Sequence, residues 1–484
     1  MVYRLSSIVL LGVALRFHGL FANTFHADEA LFATWARLIA VWRDPLLLTQ
    51  AVDKPPLPFY LQAIFYPLFG PVEWAARMPV LIASILLIPL TAQLARRLTG
   101  DRIAALTAGL FMAVAPLAIQ FSATAFTDPV LTFWLVAALY AAAVPRKRHG
   151  RSRSRGLLAG LLFGLAMATK YQAILFAPLL IGVACLRGWR RGEWLRGLAG
   201  VMMIALPLFA WQCARPASGE LVALQWANIG GIRPAYSWEL WARALSTVRL
   251  WRLAMGWPLV ALSAVVAGWL LWYKRGRLRL SPIESLLLLF ILGYTLLHWL
   301  WAVPVWDRYL LPILPLVAVL FGRAVSVVWL GVGRRRELRR GFAFAVLAVF
   351  LLLMSVALAA RAGQYPLGGQ PGADGGASRV AHHLKDAPYG TVLYDHWYSW
   401  HWQYQLFDSR VYVSWFPHAD ALVEDLAVFA GDGSPRYLSL PSSAAGDPVA
   451  RQLSEYGYVL ERAGDQDEAA GMTLYRILLP ETSQ

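Results

Sequence analysis

Charge is scarce in this chain, and cysteine scarcer. Lysine, arginine, aspartate and glutamate together make up 15% of 484 residues, against 58% hydrophobic residues. With a mean hydropathy of +0.51, that deficit excludes an ordinary soluble globular protein, which carries roughly 25% charged residues. Two cysteines, Cys185 and Cys213, exclude a disulfide scaffold and any Cys-spaced zinc site. The topology below puts them at opposite faces of a bilayer, too far apart for a disulfide. No P-loop or nucleotide-sugar signature is present, no internal repeat, and no low-complexity tract beyond a basic loop at 145–155. No small-residue cleavage site follows the first apolar run, Leu5 to Phe21, which therefore reads as a retained span with the N-terminus inside.

What is present in quantity is apolar sequence of membrane-spanning length. Runs at 5–21, 78–95, 103–121, 129–144, 156–169, 173–186, 197–213, 250–272, 283–301, 310–329 and 341–361 predict about eleven spans. The two at 156–169 and 173–186 are short and meet at "ATKYQA". The net charge of +16 is unevenly distributed: residues 362–484 hold fifteen acidic and seven basic side chains, so the excess of positive charge lies in the rest. There it falls in short clusters between spans, such as "PRKRHGRSRSR" and "GRRRELRR". This is the positive-inside pattern of cytoplasmic loops, and it argues against nucleic acid as the partner.

The reading is a mainly α, polytopic membrane protein with a small α/β extracytoplasmic C-terminal domain. Residues 1–361 form the membrane module, with a long first outer loop at 22–77. A Gly- and Pro-rich linker covers 362–376, and a soluble domain covers 377–484. Strands are expected at "GTVLYD", "RVYVSW", "RYLSLP" and "TLYRILL", with helix between them. In the first outer loop, Leu31, Trp35, Leu38, Ile39 and Trp42 fall at helical spacing, which suits a helix lying in the interface; a second is expected in 214–249.

Nine of the thirteen acids before the linker fall on the outer side of this topology. They cluster in "HADEA" (Asp28, Glu29), "DKPPLPFY" (Asp53, Lys54), "TAFTDPV" (Asp128) and "VWDRYLLP" (Asp307, Arg308, Tyr309). Carboxylates at the rim of a lipid phase suit general-base work, because partial desolvation makes them better proton acceptors. A nearby lysine or arginine suits a phosphate. Taken singly, each has a plainer reading: Asp28 and Glu29 as a helix start, Asp53 with Lys54 as an ion pair, Asp128 as a helix entry before proline, Lys170 as a snorkelling lysine. The aromatic stretch "YDHWYSWHWQYQL" (394–406) can bind sugars, but fits better as domain core or membrane seat.

In order and spacing, "DEALFATWARLIA", "DKPPLPFYLQAIFYPLFG", "EWAARMPVLIAS", "TDPVLTFWLVAALY", "GLAMATKYQAILFAPLL" and "DRYLLPILPLVAVL" resemble the GT-C superfamily of polytopic glycosyltransferases, over roughly residues 1–330. The branch is that of the protein O-mannosyltransferases and lipid A aminoarabinose transferases. The resemblance implies a sugar donor linked to polyprenyl phosphate and an acceptor hydroxyl on a lipid, glycan or protein. It implies Asp28 as catalytic base with Glu29 tuning it, and Asp128 near sugar or acceptor. Asp53 and Lys54 would form the donor-binding element in which the lysine meets the phosphate, Arg308 and Tyr309 would lie near that phosphate, and Lys170 would bind it too, although Tyr171 stands where relatives carry glycine. It leaves a divalent metal open, with His26 beside the acids. A transporter or flippase of a lipid-linked anion is the rival reading; it expects mid-membrane ionisable groups and inverted repeats. The expected setting is a bacterial inner membrane.

Overall fold

The computed structural model describes residues 2–144, 155–215, 233–274, 280–332, 339–429, 432–463 and 471–479. The chain divides into two compact units, Met1–Ala22 with Ala36–Gln370, and Asn23–Trp35 with Pro371–Gln484. Much of the basic loop at 145–155 and of the outer loop at 214–249 lies outside the described residues.

The first unit is helical. Among the described residues, five helices are long and apolar enough to cross a membrane: Tyr3–Ala22, Glu73–Thr99, Arg191–Ala214, Pro282–Leu300 and Asp307–Leu330. Counting each of two bent pairs as one span raises the number to at most seven, and the shorter apolar helices include Asp128–Ala142, Arg155–Thr169 and Tyr171–Leu186. Length and composition thus support five to seven of the expected eleven.

The bends have local causes. Within the expected span 103–121 the helix Arg102–Val114 ends at Ala115, held at ψ 125° by the proline that follows, and resumes at a 61° angle. Pro116 brings no N–H to the carbonyl of Met112. The buried Arg16 guanidinium supplies it, donating to the carbonyls of Met112 (2.7 Å) and Ala113 (3.0 Å) and to Ser84 Oγ (3.0 Å). The expected straight span 250–272 is not one helix. Ser237–Met255 stops at Gly256, whose φ of 75° is costly for any side chain, and Trp257–Lys274 departs at 99°.

The helices Arg155–Thr169 and Arg191–Ala214 touch backbone to backbone. A Cβ on Gly160 would lie 1.9 Å from the Gly197 carbonyl, and one on Gly200 would lie 2.4 Å from that of Leu157. Small residues repeated every four positions permit this approach.

The segment "DEALFATWARLIA" does form a helix, Ala27–Ala40. Its Trp35, Leu38 and Ile39 are buried in protein, so they are not the lipid-facing stripe expected of an interfacial helix. The helix Ser237–Met255 is closer to that description, with Trp238 and Trp241 both exposed.

The second unit is a mixed five-stranded sheet of order β2-β1-β3-β5-β4, with β1 Val392–Asp395, β2 Tyr412–Trp415, β3 Arg436–Pro441, β4 Val459–Arg462 and β5 Met472–Leu478. β1 runs parallel to β2 and β3; β5 is antiparallel to β3 and β4. Alternation along β1 sends Leu393 to one face and Tyr394 to the other. Leu393 joins Val380, Leu384 and Trp402; Tyr394 joins Leu422, Leu426 and Leu453. The aromatic stretch 394–406 is therefore largely core: Tyr394, Trp402 and Tyr404 are all buried. Asn23–Trp35 belongs to this unit through its own contacts. The Phe25 carbonyl lies 3.0 Å from His401 Nε2, and the Phe25 ring packs edge-on to Tyr404.

Candidate active site

In the first unit, a turn carries the "DKPP" element. The Asp44 carboxylate accepts from the backbone N–H groups of Leu48 and Thr49, both at 2.9 Å, and from the Thr49 hydroxyl at 2.6 Å. Burial pushes the Asp44 pKa up, but these donors outweigh it and hold the group below the usual carboxylate range. Tyr60 donates to the Pro45 carbonyl at 2.6 Å. Arg215, 4% exposed, donates to the carbonyls of Gln50 (3.2 Å) and Val52 (2.7 Å). The turn thus delivers Asp53 and Lys54, paired at 2.6 Å, in a fixed direction. Gln62 then donates to the Ala125 carbonyl at 3.2 Å, tying this element to the loop that ends in Asp128.

Asp128 opens its helix with Pro129 in the first turn and is 1% exposed. Its charge is met by Lys170 Nζ at 2.7 Å. Lys170 also sits over the Tyr309 ring, 4.7 Å from its centroid, a cation–π contact. Lys54 and Arg308 are close enough for their charges to bear on that of Lys170. Arg308 lies over the ring of Phe126, 4.9 Å from its centroid. Asp307 accepts from the backbone N–H groups of Arg308 (2.6 Å) and Gly368 (3.1 Å), which sets the start of the "DRYLLP" segment. The structure therefore brings Asp128, Lys170 and Tyr309 into contact, with Arg308 and Lys54 in charge range of Lys170, from four stretches of sequence.

Asp28 and Glu29 lie in the second unit and do different things. Glu29, fully buried, reaches back to the backbone N–H of His26 at 3.0 Å, as the acid of a capping box does. Asp28 is partly exposed, and its N–H donates to His26 Nδ1 at 3.2 Å. His26 is thus engaged locally by both. Among the described residues, no three His, Cys, Asp or Glu side chains converge to hold a metal ion.

Sequence reasoning missed the residues that brace the site. Tyr294 donates to the Tyr309 carbonyl at 2.9 Å and accepts from Gln172. Arg243 donates to the carbonyls of His298 (2.6 Å), Trp299 (2.9 Å) and Val303 (2.6 Å), closing the exposed end of a helix just before Asp307. Each stands in an apolar or aromatic run, with partners far off in sequence.

Comparison with known proteins places the chain among membrane glycosyltransferase-like sequences and folds. The family described as dolichyl-phosphate-mannose-protein mannosyltransferase matches residues 53–211, a stretch that contains Asp53, Lys54, Asp128 and Lys170. An undecaprenyl phosphate-alpha-4-amino-4-deoxy-L-arabinose arabinosyl transferase of Pseudomonas aeruginosa is 28% identical over 234 residues, 47% of this chain and 39% of that protein. One of Enterobacter is 27% identical over 33% of this chain and 30% of that protein. This chain therefore spans well under half the length of the curated relatives it matches. In three dimensions, ArnT from Cupriavidus metallidurans in complex with undecaprenyl phosphate aligns with TM-score 0.69 over 97% of both chains at 17% identity. The Archaeoglobus fulgidus oligosaccharyltransferase aligns with TM-score 0.57 over 98% of this chain and 72% of that one, at 16% identity.

Proposed function

We propose that this chain, which has the GT-C fold and resembles the aminoarabinose transferase and protein mannosyltransferase branch of those glycosyltransferases, is a membrane enzyme that moves a sugar from polyprenyl phosphate to an acceptor hydroxyl. The observation that carries the reading is Lys170, paired with Asp128 at 2.7 Å and lying over the Tyr309 ring, with Lys54 and Arg308 in charge range of it. In the reaction the bond between the anomeric carbon and the phosphate oxygen breaks. Polyprenyl phosphate leaves with one more negative charge than the phosphodiester carried. Cations fixed in advance stabilise that charge as it develops. Asp28 takes the proton of the attacking hydroxyl, and attack from the face opposite the phosphate inverts the anomeric centre.

Within this reading the acids divide their work. Asp128 holds the Lys170 ammonium in place, Asp53 does the same for Lys54, and Glu29 fixes the helix start that presents Asp28. The site works on the outer face of a bacterial inner membrane, with the N-terminus inside and the C-terminal unit outside.

The test uses purified protein in liposomes with a lipid extract as acceptor source and a panel of polyprenyl-phosphate sugars, following released polyprenyl phosphate. One donor should support release, and Asp28→Asn should slow it by about 10²–10⁴-fold, the usual worth of a general base. If no donor releases lipid phosphate while the protein moves a lipid-linked anion across the bilayer, the enzyme reading falls and the flippase replaces it.

A further inference from the structure

At the other end of the first unit, a groove of about 670 Å³ runs between the helices Val2–Ala22 and Glu73–Thr99. We infer that it binds an anionic phospholipid of the leaflet at which the helix Val2–Ala22 begins. The groove is polar at one end and apolar at the other. Val9, Leu10 and Pro89 line it towards the middle of the two helices, while Gln93, Arg96 and Arg102 line it where Glu73–Thr99 finishes and the next helix starts. A lipid entering from that leaflet has the same polarity, phosphate at the rim and chain inward. The volume falls in the range of small-molecule pockets, roughly 300–1,000 Å³, enough for a head group and the first part of a chain.

Among the described residues, the charges at the rim have no ion-pair partner. Arg96 and Arg102 both line the groove. No ion pair among the described residues engages Arg96 or Arg102. The neighbouring Asp101 is committed elsewhere: it caps the helix that Arg102 opens, and it faces Arg323 at 3.7 Å. Arg97, next in sequence, shows what a satisfied arginine looks like at this rim, with the Tyr140 carbonyl at 2.9 Å and the Tyr140 ring beneath it. Two guanidinium groups lining one groove without a counter-charge repel each other, and a phosphate there would answer both with charge-assisted hydrogen bonds. Basic pockets between membrane helices bind acidic head groups in this way.

Native mass spectrometry of the full chain, released from detergent micelles doped with phosphatidylglycerol, phosphatidylcholine or undecaprenyl phosphate, tests the assignment. One phosphatidylglycerol should be retained by the unaltered protein and by Arg191→Gln, a change of rim charge elsewhere. Retention should fall by at least about tenfold in Arg96→Gln/Arg102→Gln, since each contact of this kind is worth on the order of 1 kcal/mol. Val9→Trp, which keeps both arginines and fills the apolar end, should lose the lipid as well, so a folding defect confined to the double variant does not decide the matter. Equal retention of phosphatidylcholine, or undiminished retention by either altered groove, overturns the proposal. Preference for undecaprenyl phosphate over phosphatidylglycerol overturns the choice of ligand.

Discussion

The two ends of the helical unit use the same kinds of side chain for different purposes. Asp128–Ala142 and Arg155–Thr169 mark the ends, because Asp128 meets Lys170 at one of them and Arg155 meets the Val144 carbonyl at the other (2.6 Å). About 20 Å of helix separates the two. At the Arg155 end, charges are paired off across helices. Arg155 binds Glu193 through two nitrogens at 2.5 and 2.7 Å, and Arg323 bridges to Glu284 at 3.1 Å. At the Lys170 end, Lys170 and Lys54 keep their acidic partners Asp128 and Asp53, but cations from separate segments also bear on one another, with Lys170 over the Tyr309 ring and Arg308 over that of Phe126. Bringing like charges together costs free energy unless something anionic joins them. One end is built to hold helices, the other to receive charge.

The largest expected effect separates these purposes. Lys170→Met strands the buried carboxylate of Asp128 and should cost about 3–5 kcal/mol of stability; Arg155→Met leaves the partly exposed Glu193 with its bond from the Arg190 N–H and should cost less. Adding Asp128→Asn to the first, or Glu193→Gln to the second, should recover most of it. Turnover per folded molecule should be lost in both Lys170 variants and kept in both Arg155 variants, as measured by thermal unfolding in detergent beside polyprenyl phosphate release. Equal turnover in the two repaired doubles would erase the distinction between the ends.

A middle-sized effect comes from the support beneath the cations. Tyr294→Phe removes the hydroxyl that fixes the Tyr309 carbonyl and holds Gln172, leaving buried groups unpaired at a cost of about 1–3 kcal/mol. Tyr309 carries the ring on which Lys170 rests, so the donor KM should rise several-fold. The matching change at the other end, Arg97→Gln, should lower stability with KM unmoved. Kinetics titrated against donor at matched folded fraction would expose the reverse pattern.

These contrasts also explain what could be read without the structure. Asp53, Lys54, Asp128, Lys170 and Arg308 stood out because each is a charged residue beside an apolar run, a position that composition makes conspicuous. Arg215 and Arg243 carry charge too, yet they bind carbonyls of distant segments, and that leaves no local pattern. Asp28 and Glu29 looked like a pair, but burial divides them, the one partly exposed and the other a cap. Gly256 passed as part of a continuous span because a single glycine leaves the hydropathy of a run unchanged while ending its helix. β4, "VLER", is a short edge strand whose charges mask its alternation.

The smallest expected effect lies in the acid limb of stability, and again each end has a representative. Asp44 and Asp101 both lie outside the spans. Burial raises both pKa values, and hydrogen bonds outweigh it, from Thr49 and Leu48 for Asp44 and from Ser326, Ile103 and Ala104 for Asp101. A carboxylate held below its unfolded pKa of about 3.9 stabilises the fold above that pH, and the contribution disappears as pH falls through the folded value. The unfolding temperature should therefore drop on acidification below about pH 4. Asp44→Asn and Asp101→Asn should each flatten part of that drop. Only Asp44 holds the turn that aims Lys54, so its variant alone should also raise the donor KM at neutral pH, where both carboxylates are ionised. A KM shift of the same size in Asp101→Asn would mean that the turn is not what sets the direction of Lys54.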